Sequence, residues 1–248
     1  MANPAVASPA LAVHEVSRTF GGLIAVNAIS FDLAVNEVLG LIGPNGSGKT
    51  TMMNLISGAL KPSGGRIRLY GEDVTGAPAH AIAHRGIART FQIVRMLPSL
   101  TVLENVSAGG VFGHRRRWGR DLEDHARALL KRVGLDGAEN APVTALTYID
   151  PKRLELARAL VSDPKVLLLD EWLAGLNPTE LRTGIALIEA LRAEGRTIVI
   201  VEHVMHAIRS LCDRCVVMNG GAKIAEGTPA EVLADAEVIR AYLGDADA

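Results

Sequence analysis

Short apolar segments, each bordered by glycine or polar residues, follow one another over residues 11–41. Their lengths and borders are typical of β-strands. The segments read LAVHEVSRTF (11–20), AISFDLAV (28–35) and EVLGLIG (37–43). A helical pattern then covers Thr50 to Leu60, and RIRLYG (66–71) predicts a further strand. The N-terminal part is therefore expected to be rich in strands, with one helix among them.

The rest of the chain alternates helical and strand patterns. Helical spacing predicts helices at Ala79–Arg85, Thr101–Gly109, Asp121–Val133 and Pro151–Val161. An apolar run at Val166–Leu169, a helix at Pro178–Ala193 and a second run at Thr197–Val201 follow. This alternation favours an α/β fold with a parallel sheet wrapped by helices. No comparable apolar strand occurs within 92–163, which predicts a mainly helical subdomain there.

Composition narrows the function classes. Hydrophobic residues make up 48% and charged residues 21% of the 248 residues, an ordinary globular balance. The formal net charge of −1 provides no basic field for nucleic acid or an anionic membrane. No apolar run approaches the roughly 20 residues of a membrane-spanning helix. With two cysteines and no recognisable signal peptide, the chain is expected to be soluble and cytosolic.

A complete phosphate-binding motif lies between a predicted strand and a predicted helix. The sequence GPNGSGKT at residues 43–50 matches G-x-x-x-x-G-K-[ST] in full. Glycines let consecutive backbone N–H groups point at one phosphate, and the helix that follows adds its positive N-terminus. Lys49 would reach the β- and γ-phosphates, and the Thr50 hydroxyl would ligate Mg²⁺. The predicted nucleotide-binding residues are Gly43, Pro44, Asn45, Gly46, Ser47, Gly48, Lys49, Thr50 and Thr51. The alternative, a glycine-rich turn with a chance lysine, does not explain the complete motif.

Two acidic residues follow the buried strand that VLLLDE predicts at residues 166–171. Asp170 emerges at the carboxyl end of this strand, where it is placed to hold Mg²⁺ through water. Glu171 is the natural base to orient or deprotonate an attacking water. Asp170 as a simple helix cap is the plainer alternative. The Asn-Lys-x-Asp motif that reads guanine does not occur in the sequence, which favours ATP over GTP.

These motifs, in this order, make the chain resemble an ABC-type ATPase, the nucleotide-binding subunit of an ABC transporter. The resemblance implies a P-loop ATPase domain over 11–244, with a small antiparallel sheet and a helical subdomain near 92–163, between tails at 1–10 and 245–248. It implies that Phe20 stacks on adenine and that Gln92 contacts Mg²⁺ and senses the membrane subunit. It also implies that Ala174–Asn177 contacts a second ATPase and that His203 touches the γ-phosphate. ATP and Mg²⁺ are the implied cofactors.

Several stretches resemble, more narrowly, the ATPases of branched-chain amino-acid importers. They are RTFGGLIAV (18–26), ARTFQ (88–92), AGLNP (174–178), VEHV (201–204) and EGTP (226–229). This implies a peripheral subunit at the cytoplasmic face of a bacterial inner membrane. Its partners would be two membrane permease subunits, a second ATPase and, indirectly, a substrate-binding protein. Urea, short amides and aromatic acids remain alternative cargoes.

The signature loop departs from the family pattern Leu-Ser-Gly-Gly-Gln. It reads LTYID at residues 146–150, with Thr147 and Ile149 in the positions that would face the nucleotide of the partner ATPase. Asp150 before Pro151 predicts a helix N-cap, and its carboxylate would repel a γ-phosphate. A slowly hydrolysing regulatory subunit in a heterodimer is therefore a second hypothesis. Trp172 stands where the family has proline, and its replacement is expected to affect the fold little.

Three further features have plain alternatives. Phe20 is either an adenine platform or a residue of the strand core. Cys212 and Cys215 form a C-x-x-C motif, but without a second ligand cluster inert packing is favoured over zinc or redox chemistry. The Arg115–Arg117 run favours a solvated loop over a nucleic-acid patch.

A soluble mechanochemical ATPase of DNA repair or translation would need a coiled-coil insertion or a second ATPase domain, which this length does not hold.

Overall fold

The computed structural model describes residues 8–147 and 149–243. Most of the two predicted tails and Tyr148 of the signature loop lie outside the described residues. Ala10 belongs to the folded part and not to the predicted tail, because it is buried and hydrogen-bonded on both sides. Its N–H donates to the Leu33 carbonyl (2.8 Å), and its carbonyl accepts from the Tyr70 N–H (2.9 Å).

Strands and helices alternate along the chain. The strands are β1 (Leu11–Phe20), β2 (Leu23–Leu33), β3 (Val38–Ile42), β4 (Gly64–Leu69), β5 (Glu72–Asp73), β6 (Ile87–Arg89), β7 (Val166–Asp170), β8 (Thr197–Val201), β9 (Arg214–Asn219) and β10 (Ala222–Gly227). The helices are α1 (Lys49–Ile56), α2 (Ala79–Arg85), α3 (Val102–Phe112), α4 (Gly119–Arg132), α5 (Asp150–Leu160), α6 (Pro178–Ala193), α7 (Met205–Leu211), α8 (Pro229–Ala234) and α9 (Ala236–Leu243), with a 3₁₀ turn at Val143–Ala145.

Two sheets organise these elements. The first is antiparallel, with the strand order β2-β1-β4-β5. The second has the order β10-β9-β3-β8-β7-β6 and is parallel except for its antiparallel edge strand β10. In this order β3, which leads into the phosphate loop, pairs with β8, and β8 pairs with β7. The strands that carry the phosphate loop, the acidic pair and His203 are therefore neighbours.

Both faces of the parallel sheet are covered, which explains its uninterrupted apolar strands. Along β7, Leu167 and Leu169 pack with the residues of α3 to α7, whereas Val166 and Leu168 pack towards α1 and the antiparallel sheet. The central strands β3 and β8 alternate in the same way. Because successive side chains point to opposite faces, each strand supplies two cores.

The segment predicted as a helical subdomain is built from α3, α4, α5 and the 3₁₀ turn. The described residues of 92–163 contain no strand beyond one isolated bridge, between Thr101 and Pro142. Helix α3 begins with a capping box in which Thr101 and Glu104 satisfy each other's backbone N–H. Buried Val106 and Leu130 join these helices to the core that covers the parallel sheet.

Several predicted helix ends differ from the structure, for example the end of α3, which is at Phe112 rather than Gly109. Helix α1 ends at Ile56 rather than Leu60. Gly58 has φ +71°, and a Cβ there would lie 2.6 Å from the Ala77 carbonyl oxygen, so the chain turns away at this point. Helix α5 begins at Asp150 with Ile149 as its N-cap, so the prediction of Asp150 as the N-cap is wrong.

The described helices are too short to span a bilayer, which needs about 20 apolar residues. The longest, α6, has 16 residues, and none in the described part of the chain is long and apolar enough to cross a membrane.

Candidate functional site

The phosphate loop leaves β3 and enters α1 as the motif predicts, and its backbone requires glycine. Gly43 has φ +147°, and a Cβ at this position would lie 2.0 Å from the Met218 carbonyl oxygen. Gly48, the N-cap of α1, has φ +101°, and its Cβ would lie 2.4 Å from the Ala25 carbonyl oxygen. Side chains at either position would clash with fixed backbone, so the loop can curl this tightly only with glycine.

Polar groups inside the loop are buried. The Lys49 ammonium donates to the carbonyl oxygens of Gly43 (2.8 Å) and Pro44 (2.9 Å). Burial lowers the pKa of Lys49, and the nearby carboxylates of Glu171 and Asp170 oppose that effect. The Ser47 hydroxyl is buried and has no hydrogen-bond partner among the described residues. An anion in the loop would accept hydrogen bonds from the Lys49 ammonium and the Ser47 hydroxyl. The loop is therefore suited to bind a phosphate.

A cleft of about 450 Å³ opens over this loop. Its lining includes Phe20, the loop residues Asn45–Thr51 and Glu171. Phe20 is 41% exposed at the end of β1, so it is not a core residue, and the Arg18 guanidinium lies 4.6 Å from its ring centre. The structure therefore brings the proposed adenine platform, the phosphate loop and the proposed base into one cleft.

Asp170 ends β7 in a buried ion pair that sequence analysis missed. Its Oδ2 accepts from Arg89 Nη2 at 2.6 Å, and both side chains are at most 5% exposed. Arg89 Nη1 also donates to Asn54 Oδ1 (2.7 Å) in α1. The arginine thus joins β6, β7 and α1 behind the phosphate loop, and removing it would leave a buried carboxylate without its partner. No local sequence pattern marks Arg89 for this role, because its position beside Asp170 depends on the pairing of β6 with β7.

Glu171 and Gln92 meet at the edge of the cleft. Gln92 Nε2 donates to Glu171 Oε2 at 2.7 Å, although the two residues are 79 positions apart. The backbone of Glu171 has φ +49°, a left-handed conformation that is uncommon outside glycine. Its N–H donates to the Val201 carbonyl (2.9 Å), so β8 helps to hold the turn that aims the carboxylate.

His203 follows β8 and is exposed, whereas Glu202 beside it is 1% exposed. His203 makes no hydrogen bond with its ring within residues 8–147 and 149–243, and it is not among the residues that line the cleft. Its position after β8 brings it to the same edge of the sheet as Glu171, which follows β7. Contact between His203 and the γ-phosphate therefore stays a prediction.

The signature positions lie apart from this chain's own cleft, at the start of α5. Thr147 is exposed, and its carbonyl accepts from the Asp150 N–H at 3.0 Å. Ile149 is only 7% exposed and has φ −76°, so its side chain turns inwards beside Trp172. Asp150 Oδ1 accepts from Arg153 Nη1 at 3.2 Å, which ties up part of its charge.

Two buried glutamates flank the site and were not predicted. Burial raises the pKa of Glu202 to about 7, against the N–H of Leu173 and the charge of Lys152. Burial likewise raises the pKa of Glu155 in α5 to about 7, against the Phe91 amide and the Arg158 guanidinium. The available signal for Glu202 was its position directly after the apolar strand β8, whereas Glu155 lies in a helix rich in charged residues. Only the packing reveals that both side chains are buried.

The cysteine pair and the arginine run make their contacts within the chain. Cys212 and Cys215 are free and buried against Gly40, and their mutual hydrogen bond, followed by burial, raises the pKa of the Cys212 thiol. This is consistent with inert packing. Arg115 pairs with Asp163 (3.4 Å), and Arg117 pairs with Asp121 (3.0 Å). The arginine run is thus largely engaged within the chain.

Trp172 is buried, at 2% exposure, and packs against α5 and α6. Its Nε1 donates to the Lys152 carbonyl at 2.9 Å, and a Cβ on Gly184 would lie 3.1 Å from its ring. The expectation that replacing Trp172 would affect the fold little does not fit this burial.

Comparison with known proteins agrees with this geometry. The family described as ABC transporter matches residues 26–174, and the family described as branched-chain amino acid ATP-binding cassette transporter matches residues 222–248. A solved structure, the ADP conformation of MJ1267, an ATP-binding cassette of an ABC transporter, superposes with a TM-score of 0.87 at 30% identity. That match covers 96% of this chain and 99% of that one.

Curated relatives match over nearly their whole length. The high-affinity branched-chain amino acid transport ATP-binding protein BraF of Pseudomonas aeruginosa is 40% identical, covering 96% of this chain and 99% of that protein. The corresponding protein LivG of Salmonella typhimurium is 41% identical, covering 97% and 100%. The α/β fold and the family resemblance predicted from the sequence are confirmed. The chain belongs to the ABC transporter family, as one of its ATP-hydrolysing cassettes.

Proposed function

We propose that this chain hydrolyses ATP to drive an importer of branched-chain or related amino acids across the bacterial inner membrane. The observation that carries the ATPase part is the cleft that holds a complete phosphate loop and Glu171 together, with Gln92 bonded to that carboxylate. The cargo rests on the two relatives of about 40% identity and on the match at residues 222–248. Urea, short amides and aromatic acids are the alternative cargoes.

In this proposal each residue of the site has a separate task. Residues 43–51 hold the phosphates, Lys49 neutralises their charge, and Phe20 stacks on the adenine after displacing Arg18. Glu171 orients and deprotonates the attacking water, and His203 steadies the γ-phosphate. The Thr50 hydroxyl, Asp170 and Gln92 would hold Mg²⁺, which neutralises charge on the β- and γ-phosphates when bound. Asp170 Oδ1 is the oxygen left for this task, since Oδ2 faces Arg89.

We propose two membrane subunits and a second ATPase as partners, with this chain peripheral on the cytoplasmic face. A groove of about 310 Å³ between α2, β6 and α3 supports the membrane contact, because it lies beside Gln92 and contains Phe91 and Phe112. Phe112 and the nearby Ile93 are 71% and 80% exposed. An apolar segment of a membrane subunit in this groove would shift Gln92, and the hydrogen bond from Gln92 would then move the Glu171 carboxylate.

The test is reconstitution of the chain with its membrane subunits, a partner ATPase and a binding protein in proteoliposomes. Uptake of labelled leucine should require ATP and the binding protein, and it should be lost in the Glu171→Gln variant. Uptake of labelled urea, acetamide and phenylalanine is measured in parallel. If one of them is transported and leucine is not, the cargo is reassigned, whereas uptake that is indifferent to Glu171→Gln would refute the catalytic proposal.

A second candidate function is a regulatory subunit of a heterodimer, in which the site formed by this chain's signature loop and the partner's nucleotide hydrolyses slowly. The observation that favours it is the start of α5, where Ile149 is buried and Asp150 carries a carboxylate in the first turn. In a dimer this helix would face the nucleotide bound by the partner. A carboxylate there opposes the helix N-terminus that otherwise attracts phosphate.

A further inference from the structure

Three segments meet behind the proposed catalytic carboxylate. They are the first turn of α5, the chain that leaves β7 at residues 172–174, and the chain that leaves β8 at Glu202. Lys152 in α5 donates its ammonium to the carbonyl oxygens of Trp172 (3.1 Å) and Ala174 (2.5 Å). In return, Trp172 Nε1 donates to the Lys152 carbonyl (2.9 Å). This reciprocal pair joins α5 to the segment after Glu171.

Glu202 joins the same segment to β8. Its Oε1 accepts from the Leu173 N–H at 2.6 Å, in a site where the side chain is 1% exposed. Its Oε2 has no hydrogen-bond partner in the described part of the chain. A buried carboxylate with one unmatched oxygen is costly for folding, and an apolar side chain would fill the space at lower cost. A role in function would explain why a carboxylate occupies this position.

Two hydrogen bonds hold the turn after β7, one to Val201 in β8 and one to Glu202 directly after it. Glu171, in its left-handed conformation, donates its N–H to Val201, and Leu173 donates to Glu202. Without such restraints a non-glycine residue would leave the left-handed region. Since His203 directly follows Glu202, the same carboxylate couples the backbone positions of Glu171 and His203.

We propose that Glu202, Lys152 and Trp172 form a latch that positions Glu171 and His203 relative to each other and ties both to α5. The proposal rests on the roles proposed above for Glu171 and His203. These three are positioning residues, since none of them lines the nucleotide cleft. If a partner subunit displaces α5, the latch shifts Glu171 as well. The position of α5 therefore controls the rate of ATP hydrolysis in its own chain.

The first test separates positioning from mere packing. Glu202→Ala should lower kcat at least about tenfold while the Kd for a fluorescent ATP analogue stays within about twofold, because misplacement of catalytic groups affects turnover first. Glu202→Gln keeps an oxygen for the Leu173 N–H and should recover most of the turnover. Leu130→Ala, a buried truncation in α4, is the control for lost packing and should leave kcat unchanged.

The second test does not depend on hydrolysis. The chain has two tryptophans, and Trp118 is exposed, so Trp118→Phe leaves the buried Trp172 as the reporter. In this background, Mg-ATP should change the emission of Trp172, and Glu202→Ala or Lys152→Met should abolish the change while nucleotide still binds. If the parent chain binds ATP without turnover, the catalytic roles fail, and this measurement alone decides on the latch.

Two results would overturn the latch. One is a Glu202→Ala variant that binds and hydrolyses ATP at the parent rate. The other is an emission change on ATP binding that survives in both Glu202→Ala and Lys152→Met.

Discussion

Replacing Glu202 by glutamine should flatten the dependence of folding stability on pH. Burial raises the pKa of Glu202 from 4.5 to about 7 in the folded chain. Between these values the folded state holds a proton that the unfolded state has released. The contribution of protonated Glu202 to the free energy of unfolding is therefore fully present below pH 4.5 and is lost as the pH rises through about 7. Glutamine keeps the shape and does not titrate, so this loss should disappear.

The size of the effect follows from the two pKa values. At about 1.4 kcal/mol per pH unit, the interval from 4.5 to about 7 corresponds to about 3 kcal/mol. Part of this loss has already occurred at about pH 5, where the unfolded carboxyl is mostly ionised. Between about pH 5 and about pH 8 the parent should lose about 2 to 3 kcal/mol more than Glu202→Gln. The 1% exposure of Glu202 leaves little solvent screening to reduce this figure.

The measurement is urea unfolding, followed by circular dichroism, of the parent and the variant at both pH values. Comparing the pH-dependent losses cancels any constant cost of the substitution itself. Glu189→Gln, on the exposed face of α6, is the matched control and should reproduce the parent curve. Glu155 contributes a similar loss to every chain and drops out of the comparison. Equal losses in the parent and Glu202→Gln would refute the argument, because they would mean that this carboxyl titrates normally.

Further variants test the remaining assignments. Glu171→Gln should retain ATP binding and lose about 10²–10⁴ in turnover; phosphate release at the parent rate would exclude Glu171 as the base. Lys49→Ala should weaken binding of a fluorescent nucleotide, and an unchanged Kd would contradict its role. Trp172→Pro should cost about 3–5 kcal/mol in urea unfolding, since a buried indole and its hydrogen bond are lost; unchanged stability would contradict the packing argument. In a heterodimer, ATP bound by residues 43–51 faces the partner's intact signature loop, whereas ATP bound by the partner faces LTYID. Inactivating the loop at residues 43–51 should therefore abolish most turnover, and inactivating the partner's phosphate loop should abolish little. Equal residual rates would show that LTYID at 146–150 is a tolerated variant.

The local elements could be predicted because each depends on residues close in the chain. Strand β8 and helix α6 have the predicted bounds, since their apolar runs and caps lie within the segment itself. The phosphate loop could be predicted for the same reason, because consecutive glycines create its curl. The end of α1 could not, since it depends on the approach of Gly58 to the Ala77 carbonyl.

The site beyond the loop was only partly accessible to sequence reasoning. The family resemblance named Gln92, and the acidic pair after an apolar strand named Glu171. The structure adds the hydrogen bond of 2.7 Å between them. Arg89, Lys152 and Glu202 were not recognised as parts of the site. Each acts on a residue 20 to 81 positions away in the chain, and no local pattern encodes such a pairing.

The phosphate loop, the strand and helix periods, and the acidic pair at the end of β7 could all be recognised from neighbouring residues in the chain. Which of these residues contact one another depends on the packing of the whole chain. The sheet order β3-β8-β7-β6 sets the acidic strand beside the strands that end in Arg89 and precede His203. It also buries Glu202 against the turn after Glu171. Neighbouring strands in a parallel sheet are joined by long crossovers, so adjacency in space, and with it burial and charge pairing, depends on how the whole chain packs.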